Sequence, residues 1–186
     1  MSAWNSPVQA ARGKAAILGR LGAPFPRRLL LGGILGMKIL AQADAITPVN
    51  LCNNAYFNLC GAGSTTALIT VALNHRLLLE VEECTAMDGG LIPTGELLPV
   101  SEAALDFREP HAIGCRIAAL IGTGAKGYEH NFVSDAECLE LKRAPRIVHV
   151  RNGRWLAVWT TEPGIRIYPG NPLGGHFLGG KVARVG

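Results

Sequence analysis

Side chains able to move protons or hold a small polar ligand fall at a few places in this chain. The stretch "TPVNLCNNAYFNL", Thr47 to Leu59, sets Asn53 and Asn54 side by side before Tyr56 and Phe57. Further along, "IPTGE" carries Glu96, "GYEHNF" joins Glu129 to His130, and "TTEPGIRIYPGN" carries Glu162 and Arg166. General acid–base chemistry needs two titratable groups placed on opposite sides of one reacting centre. An amide gives up no proton near neutral pH, so Asn54 is restricted to hydrogen bonding. His75, His111, His149 and His176 stand alone in strand-like or turn-like sequence, where a core or solvated role is the ordinary one. Five cysteines, Cys52, Cys60, Cys84, Cys115 and Cys138, are widely and irregularly spaced with no C-x-x-C. That pattern argues against a zinc site or a disulfide framework, so no metal is expected and the thiols read as buried and free.

These groups must be positioned by strands and turns, because no stretch shows sustained helical periodicity. "MKILAQAD" alternates enough for a half-buried strand, and "ALITVAL" (67–73) and "RLLLEV" (76–81) read as neighbouring strands. Asp88, Gly89 and Gly90 form a turn before "LIPTGELLPV", whose two prolines suit an edge strand or a loop. "IGCRIAALIG" fits a strand or a short helix. In "PRIVHVRNGRWLAVWTTEPG", Asn152-Gly153 separates two apolar, β-branched and aromatic runs, which predicts a hairpin with a type I′ turn. On its second arm Trp155, Ala157 and Trp159 share one face, and Leu156, Val158 and Thr160 the other. "GIRIYPGN" supplies a further strand. The expected class is all-β, an antiparallel β-sandwich rather than a closed barrel.

A chain of 186 residues suits one domain with a real core. Gly and Pro together number 34, below the fraction of a low-complexity chain, and apolar residues reach 48%. The net charge of +4 is uneven: residues 1–43 hold Arg12, Lys14, Arg20, Arg27, Arg28 and Lys38 and no acid, while the remainder is slightly acidic. A nucleic-acid surface would need basic residues on the folded part interleaved with exposed aromatics, and linear sequence shows none, so nucleic acid is set aside here. Residues 1–35 form an unassigned basic extension. It fits an organellar presequence, a secretory leader built on "LLLGGILGM", an unstructured extension, or upstream sequence wrongly joined to the gene. The apolar run is short of the roughly 20 residues of a membrane span. A cytoplasmic location is expected, or an organellar one if the extension is a transit peptide.

Taken together, "TPVNLCNNAYFNL", "GLIPTGELLPV" followed by "LDFREP", "GYEHNF" and "TTEPGIRIYPGN" resemble the aldose 1-epimerases, or galactose mutarotases, with four motifs in the family's order. The resemblance covers residues 36–173 and assigns 36–186 to a galactose-mutarotase-like super-sandwich, incomplete at both ends. It implies interconversion of the α and β anomers of a free hexose by one acid and one base, with a monosaccharide as partner and no cofactor. Asn53 aligns with the family's own asparagine, whereas Asn54 stands at the place of the acid histidine. Tyr56 matches the aromatic beside the acid, a packed core tyrosine being the alternative. Glu129 takes the place of a sugar-binding aspartate, and Arg166 that of a glutamine. His130 is singled out because its neighbours face the sugar in the family, and a supporting role is expected of it rather than an acid role.

The family's base, a glutamate downstream of the T-T-E-P-G strand, has no counterpart, since neither Glu162 nor Glu96 stands at its motif position. Residues 1–35 likewise match none of the family's upstream sugar contacts. The chain is therefore expected to be inactive alone: a fragment or mis-assembled version of a longer epimerase, or a non-catalytic sugar-binding or interaction protein on the same fold.

Overall fold

A computed structural model describes residues 3–4, 7–10, 21–24, 27–53, 55–61, 72–101, 104–134 and 140–170. The chain divides into two compact units, Met1–Tyr56 and Phe57–Gly186. In the first lie β1 (Ala3–Trp4), β2 (Pro7–Ala10), β3 (Leu21–Pro24), β4 (Arg27–Leu30), β5 (Ile34–Met37) and β6 (Gln42–Ala43). They form two three-stranded antiparallel sheets, β1-β4-β5 and β2-β3-β6. "MKILAQAD" is therefore not one half-buried strand. Met37 closes β5, Lys38 to Ala41 carry no regular structure, and Met37, Ile39 and Leu40 are exposed.

The second unit holds β7 (Arg76–Leu78), β8 (Glu83–Met87), β9 (Pro93–Pro99), β10 (His111–Ala112), β11 (His130–Val133), β12 (Lys142–Val148), β13 (Trp155–Thr160) and β14 (Gly164–Ile167). Two four-stranded sheets, β10-β7-β12-β13 and β14-β11-β8-β9, are antiparallel at every pairing. Residues paired across an antiparallel ladder share a face. Leu77 of β7 thus faces inward with its partners His111 and Ile147, and Phe132 of β11 with Cys84 and Ile165. The two inner faces meet in one core of Leu77, Leu79, Cys84, Val100, Phe107, Tyr128 and Phe132, all essentially inaccessible. Phe107 is its hub: it stacks on His111 at 4.8 Å and meets Tyr128 at 5.3 Å and the edge of Phe132 at 6.4 Å. Tyr128 satisfies its hydroxyl by donating to the Ala104 carbonyl at 3.1 Å. Burial pushes its pKa up to about 12, with a smaller push from Cys115.

The all-β, antiparallel sandwich stands as expected. Of the strand "RLLLEV", Arg76–Leu78 pairs. "ALITVAL" lies outside the described residues up to position 71, and Ala72 and Leu73 are helical, not extended. "IGCRIAALIG" resolves into two 3-10 helices, Ile113–Cys115 and Ile117–Leu120. The turn at Asp88 is held by its carboxylate, which accepts from the Gly90 and Ile92 amides at 2.8 and 2.9 Å. β9 with its two prolines is an exposed edge strand.

The hairpin β12–β13 forms, but not through a type I′ turn. The His149 amide donates to the Arg154 carbonyl at 2.9 Å, and the Gly153 amide to the His149 carbonyl at 3.0 Å, leaving a four-residue loop. Only Gly153 takes the left-handed conformation, at φ 71°; Asn152 does not. Asn152 is occupied elsewhere: its side chain donates to the Leu59 carbonyl at 2.9 Å and accepts from the Arg154 amide at 3.0 Å. The cysteines of the described residues are free, but only Cys84 is buried; Cys52 and Cys115 are exposed and Cys60 is half-buried. His75 and His149 are core histidines, 3% and 6% exposed, with ring centroids 5.0 Å apart. No helix among the described residues is long and apolar enough to cross a membrane.

Candidate functional site

Strand alternation places successive side chains of β11 on opposite faces of its sheet. Phe132 points into the core, and by the same parity so does His130, whose ladder partner Ile167 packs against the core cluster. Glu129 and Asn131 take the opposite, outward face, and Arg166 joins them because it is paired with Asn131 across β11–β14. The guanidinium Nη2 of Arg166 donates to Glu129 Oε1 at 2.7 Å, with the Arg166 side chain 57% exposed and that of Glu129 24%. Beside this pair, Asn131 Nδ2 donates to Thr85 Oγ1 of β8 at 3.0 Å. Four polar side chains from three adjacent strands, or the turn leading into one of them, thus occupy one outward patch. It offers a carboxylate as acceptor, a guanidinium as donor, and an amide and a hydroxyl of both kinds.

The floor of this patch is Gly164. A Cβ built there would lie 2.6 Å from Asn131 Oδ1, 3.0 Å from Nδ2 and 3.2 Å from Cγ, so the amide occupies the space a side chain would need. His130 lies on the other side of the sheet. Burial lowers its pKa; Glu129 pulls it back up, and Arg166 pushes it further down. Its Nδ1 lies 3.3 Å from the Glu129 amide nitrogen, an arrangement in which a neutral ring accepts from the backbone. A neutral, inward-facing imidazole supports the strand that carries Glu129; it does not face the patch.

Of the residues expected from sequence, Glu129 and Arg166 are brought into direct contact. Asn54 lies outside the described residues. Tyr56 belongs to the first unit and is exposed over more than half its surface. Glu162 does not join the patch; its amide donates to the Thr160 hydroxyl oxygen at 3.0 Å in the turn between β13 and β14. Glu96 is exposed on edge strand β9. Asn131 and Thr85 went unnoticed in sequence, although "GYEHNF" places Asn131 two residues from Glu129, the spacing that shares a strand face.

Comparison with known proteins bears on the family and the fold. The family model for aldose 1-epimerase matches residues 30–184. The galactose mutarotase of Sus scrofa is 38% identical over 152 residues, covering 80% of this chain and 41% of its own length. The aldose 1-epimerase of Escherichia coli K12 is 33% identical over 158 residues, covering 84% of this chain and 44% of its own length. Among solved structures, the galactose 1-epimerase of Lactobacillus acidophilus superposes on 94% of this chain and 47% of its own, with a TM-score of 0.71 at 22% identity. A GalM/aldose epimerase homologue from C. elegans covers 88% and 47%, with a TM-score of 0.69 at 22% identity. These last two likenesses speak for the fold. The chain spans about two fifths of the length of the curated relatives it matches. With the family model extending over both strands that carry Glu129 and Arg166, and with relatives above 30% identity across four fifths of the sequence, this chain belongs to the aldose 1-epimerase family.

Proposed function

We propose that this chain binds a free hexose such as galactose or glucose, in the service of α/β anomer interconversion, through the outward patch of Glu129, Asn131, Thr85 and Arg166. The observation that carries the reading is the Arg166–Glu129 contact at 2.7 Å. It holds one carboxylate oxygen and leaves the other to accept from a sugar hydroxyl, while the remaining guanidinium N–H groups donate to sugar oxygens. Tyr56 and Asn54 stand at the family's aromatic and acid positions by resemblance, and a sugar-contacting role is proposed for each on that ground alone. No cofactor is needed for this chemistry, since protonating a ring oxygen and deprotonating an anomeric hydroxyl are proton transfers alone.

The second half of the proposal concerns turnover. With Asn54 at the acid position, the chain binds sugar without measurably accelerating mutarotation, because a general acid typically contributes about 10²–10⁴-fold. The alternative of a purely carbohydrate-binding role on the same fold rests on the same residue. Polarimetry of freshly dissolved α-glucose and α-galactose, beside saturation-transfer NMR of the sugars, tests both halves. The expected result is sugar contact that disappears in Glu129→Gln, with relaxation at the rate of a heat-treated control. Relaxation well above that control would overturn the inactive reading, and contact unaffected by Glu129→Gln would overturn the assigned patch.

A further inference from the structure

The outward face of the other sheet carries a different combination of groups. Pro145 sits inside β12, where a proline cannot donate to a regular ladder, and the β12–β13 register shifts between Arg143 and Arg146. The consequence of this bulge is geometric. Residues three apart in a regular strand point to opposite faces, yet Arg143 pairs with Trp159 and Arg146 with Ala157, which share one face of β13. Across β12–β7 the same face continues through Arg146 to Leu78 and Val148 to Arg76. Trp155 and Trp159 are 61% and 52% exposed there, about 13 Å apart along the strand. The Arg146 guanidinium carbon lies 5.9 Å from the Trp155 ring centroid.

Charge on this hairpin is one-sided. Residues 142–160 hold Lys142, Arg143, Arg146, Arg151 and Arg154 and no Asp or Glu. Arg143 is balanced by Glu80 at 2.8 Å, and a shallow depression beside it is also bordered by Glu162. No ion pair among the described residues engages Arg76, Arg146 or Arg151; Arg76 donates to the Pro110 carbonyl. An exposed pair of indoles flanked by uncompensated guanidinium groups has the chemistry of a platform on which bases stack while phosphates meet cations.

We propose that the outward face of the β7–β12–β13 sheet is a docking surface for single-stranded nucleic acid, independent of the hexose patch on the other sheet. The argument from linear sequence against such a surface depended on missing interleaved basic and aromatic residues, and the bulge at Ala144–Pro145 is what interleaves them. A flat sheet face favours a single strand over a duplex, because indoles reach only unpaired bases.

Fluorescence anisotropy of a labelled 12-nucleotide oligo(U) against the full chain, in low salt, tests this. Binding is expected with quenching of indole emission. Trp159→Ala should weaken it about 5-fold or more, since stacking on one aromatic is worth roughly 1–3 kcal/mol. Arg146→Gln should weaken it and lower the salt slope, which is expected near −2 if about three phosphates are met. Both side chains are surface groups, and circular dichroism confirms the fold of each variant. Absence of binding would overturn the proposal. So would binding that survives Trp155→Ala/Trp159→Ala, or that duplex or heparin abolishes equally well, since either marks capture of any polyanion. Self-association that buries the indoles and excludes oligo(U) would assign the face to a second copy of the chain. Loss of hexose contact in Glu129→Gln leaves oligo(U) binding intact, which separates the two sites.

Discussion

Gly164→Ala tests whether the outward patch proposed for hexose is built as described, because the perturbation is one methyl group with a known collision. The new Cβ meets Asn131 Oδ1 at 2.6 Å and Cγ at 3.2 Å, well inside van der Waals contact, so the amide must leave its seat. Moving it breaks the 3.0 Å bond to Thr85 Oγ1, a loss of about 0.5–1.5 kcal/mol. Residual crowding in a packed strand costs about 1–3 kcal/mol more. Gly164 is not in the left-handed region, so alanine also removes freedom from the unfolded chain, an offset of about 0.4–1 kcal/mol. The net expectation is a loss of roughly 1–3 kcal/mol, read from urea midpoints at unchanged slope. Asn131→Ala alone should cost about 1 kcal/mol, and the double variant should be no less stable than Asn131→Ala, since the collision partner has gone. If the two costs simply add, the alanine strain has another origin and the picture of an amide seated over Gly164 is wrong.

Phe132→Ala should cost about 3–5 kcal/mol, measured by the same denaturation, because the ring is fully buried in T-shaped contact with Phe107. Arg166→Gln should change stability by less than about 1 kcal/mol, since the guanidinium it removes is more than half exposed and glutamine can still donate to Glu129, while shifting hexose contact in NMR; a large stability loss would contradict the exposed placement of Arg166. Alkaline titration should unfold the protein in a window set by Tyr128. Its folded pKa of about 12 lies above the ordinary 10, so the folded state holds the proton more tightly, and the stability this provides is complete below pH 10 and lost as pH rises towards 12. Tyr128→Phe should flatten that limb of a stability–pH profile.

The legible parts of this molecule were those in which one short stretch contains all the information. A loop glycine between two apolar runs announced the β12–β13 hairpin, and the prolines of β9 announced an edge. The turn type escaped because Asn152 is engaged by Leu59, 93 residues away, which no local rule contains. The family motifs marked Glu129 and Arg166, but that they form an ion pair depends on the β11–β14 register, which sets Arg166 opposite Asn131. Asn131 and Thr85 were missed because neither is titratable, and their pairing spans 46 positions. Cysteine burial was misjudged as well: being apolar favours the interior on average, but Cys52 and Cys115 sit in segments that face outward.

The Asn152 clamp also bears on how the second unit assembles in time. The hairpin that presents Asn152 is local and is the kind of element that closes within microseconds. Its loop then reaches across to Leu59, where Asn152 Nδ2 and Arg154 Nη1 both donate to the Leu59 carbonyl and Arg154 Nη1 also to Cys60. Closing a loop of that length costs chain entropy of roughly 4 kcal/mol by the logarithmic rule, more than three exposed hydrogen bonds return on their own. The clamp therefore cannot nucleate anything. It must wait until the sheets between have docked, and Asn152→Ala should speed unfolding while leaving the refolding rate nearly untouched.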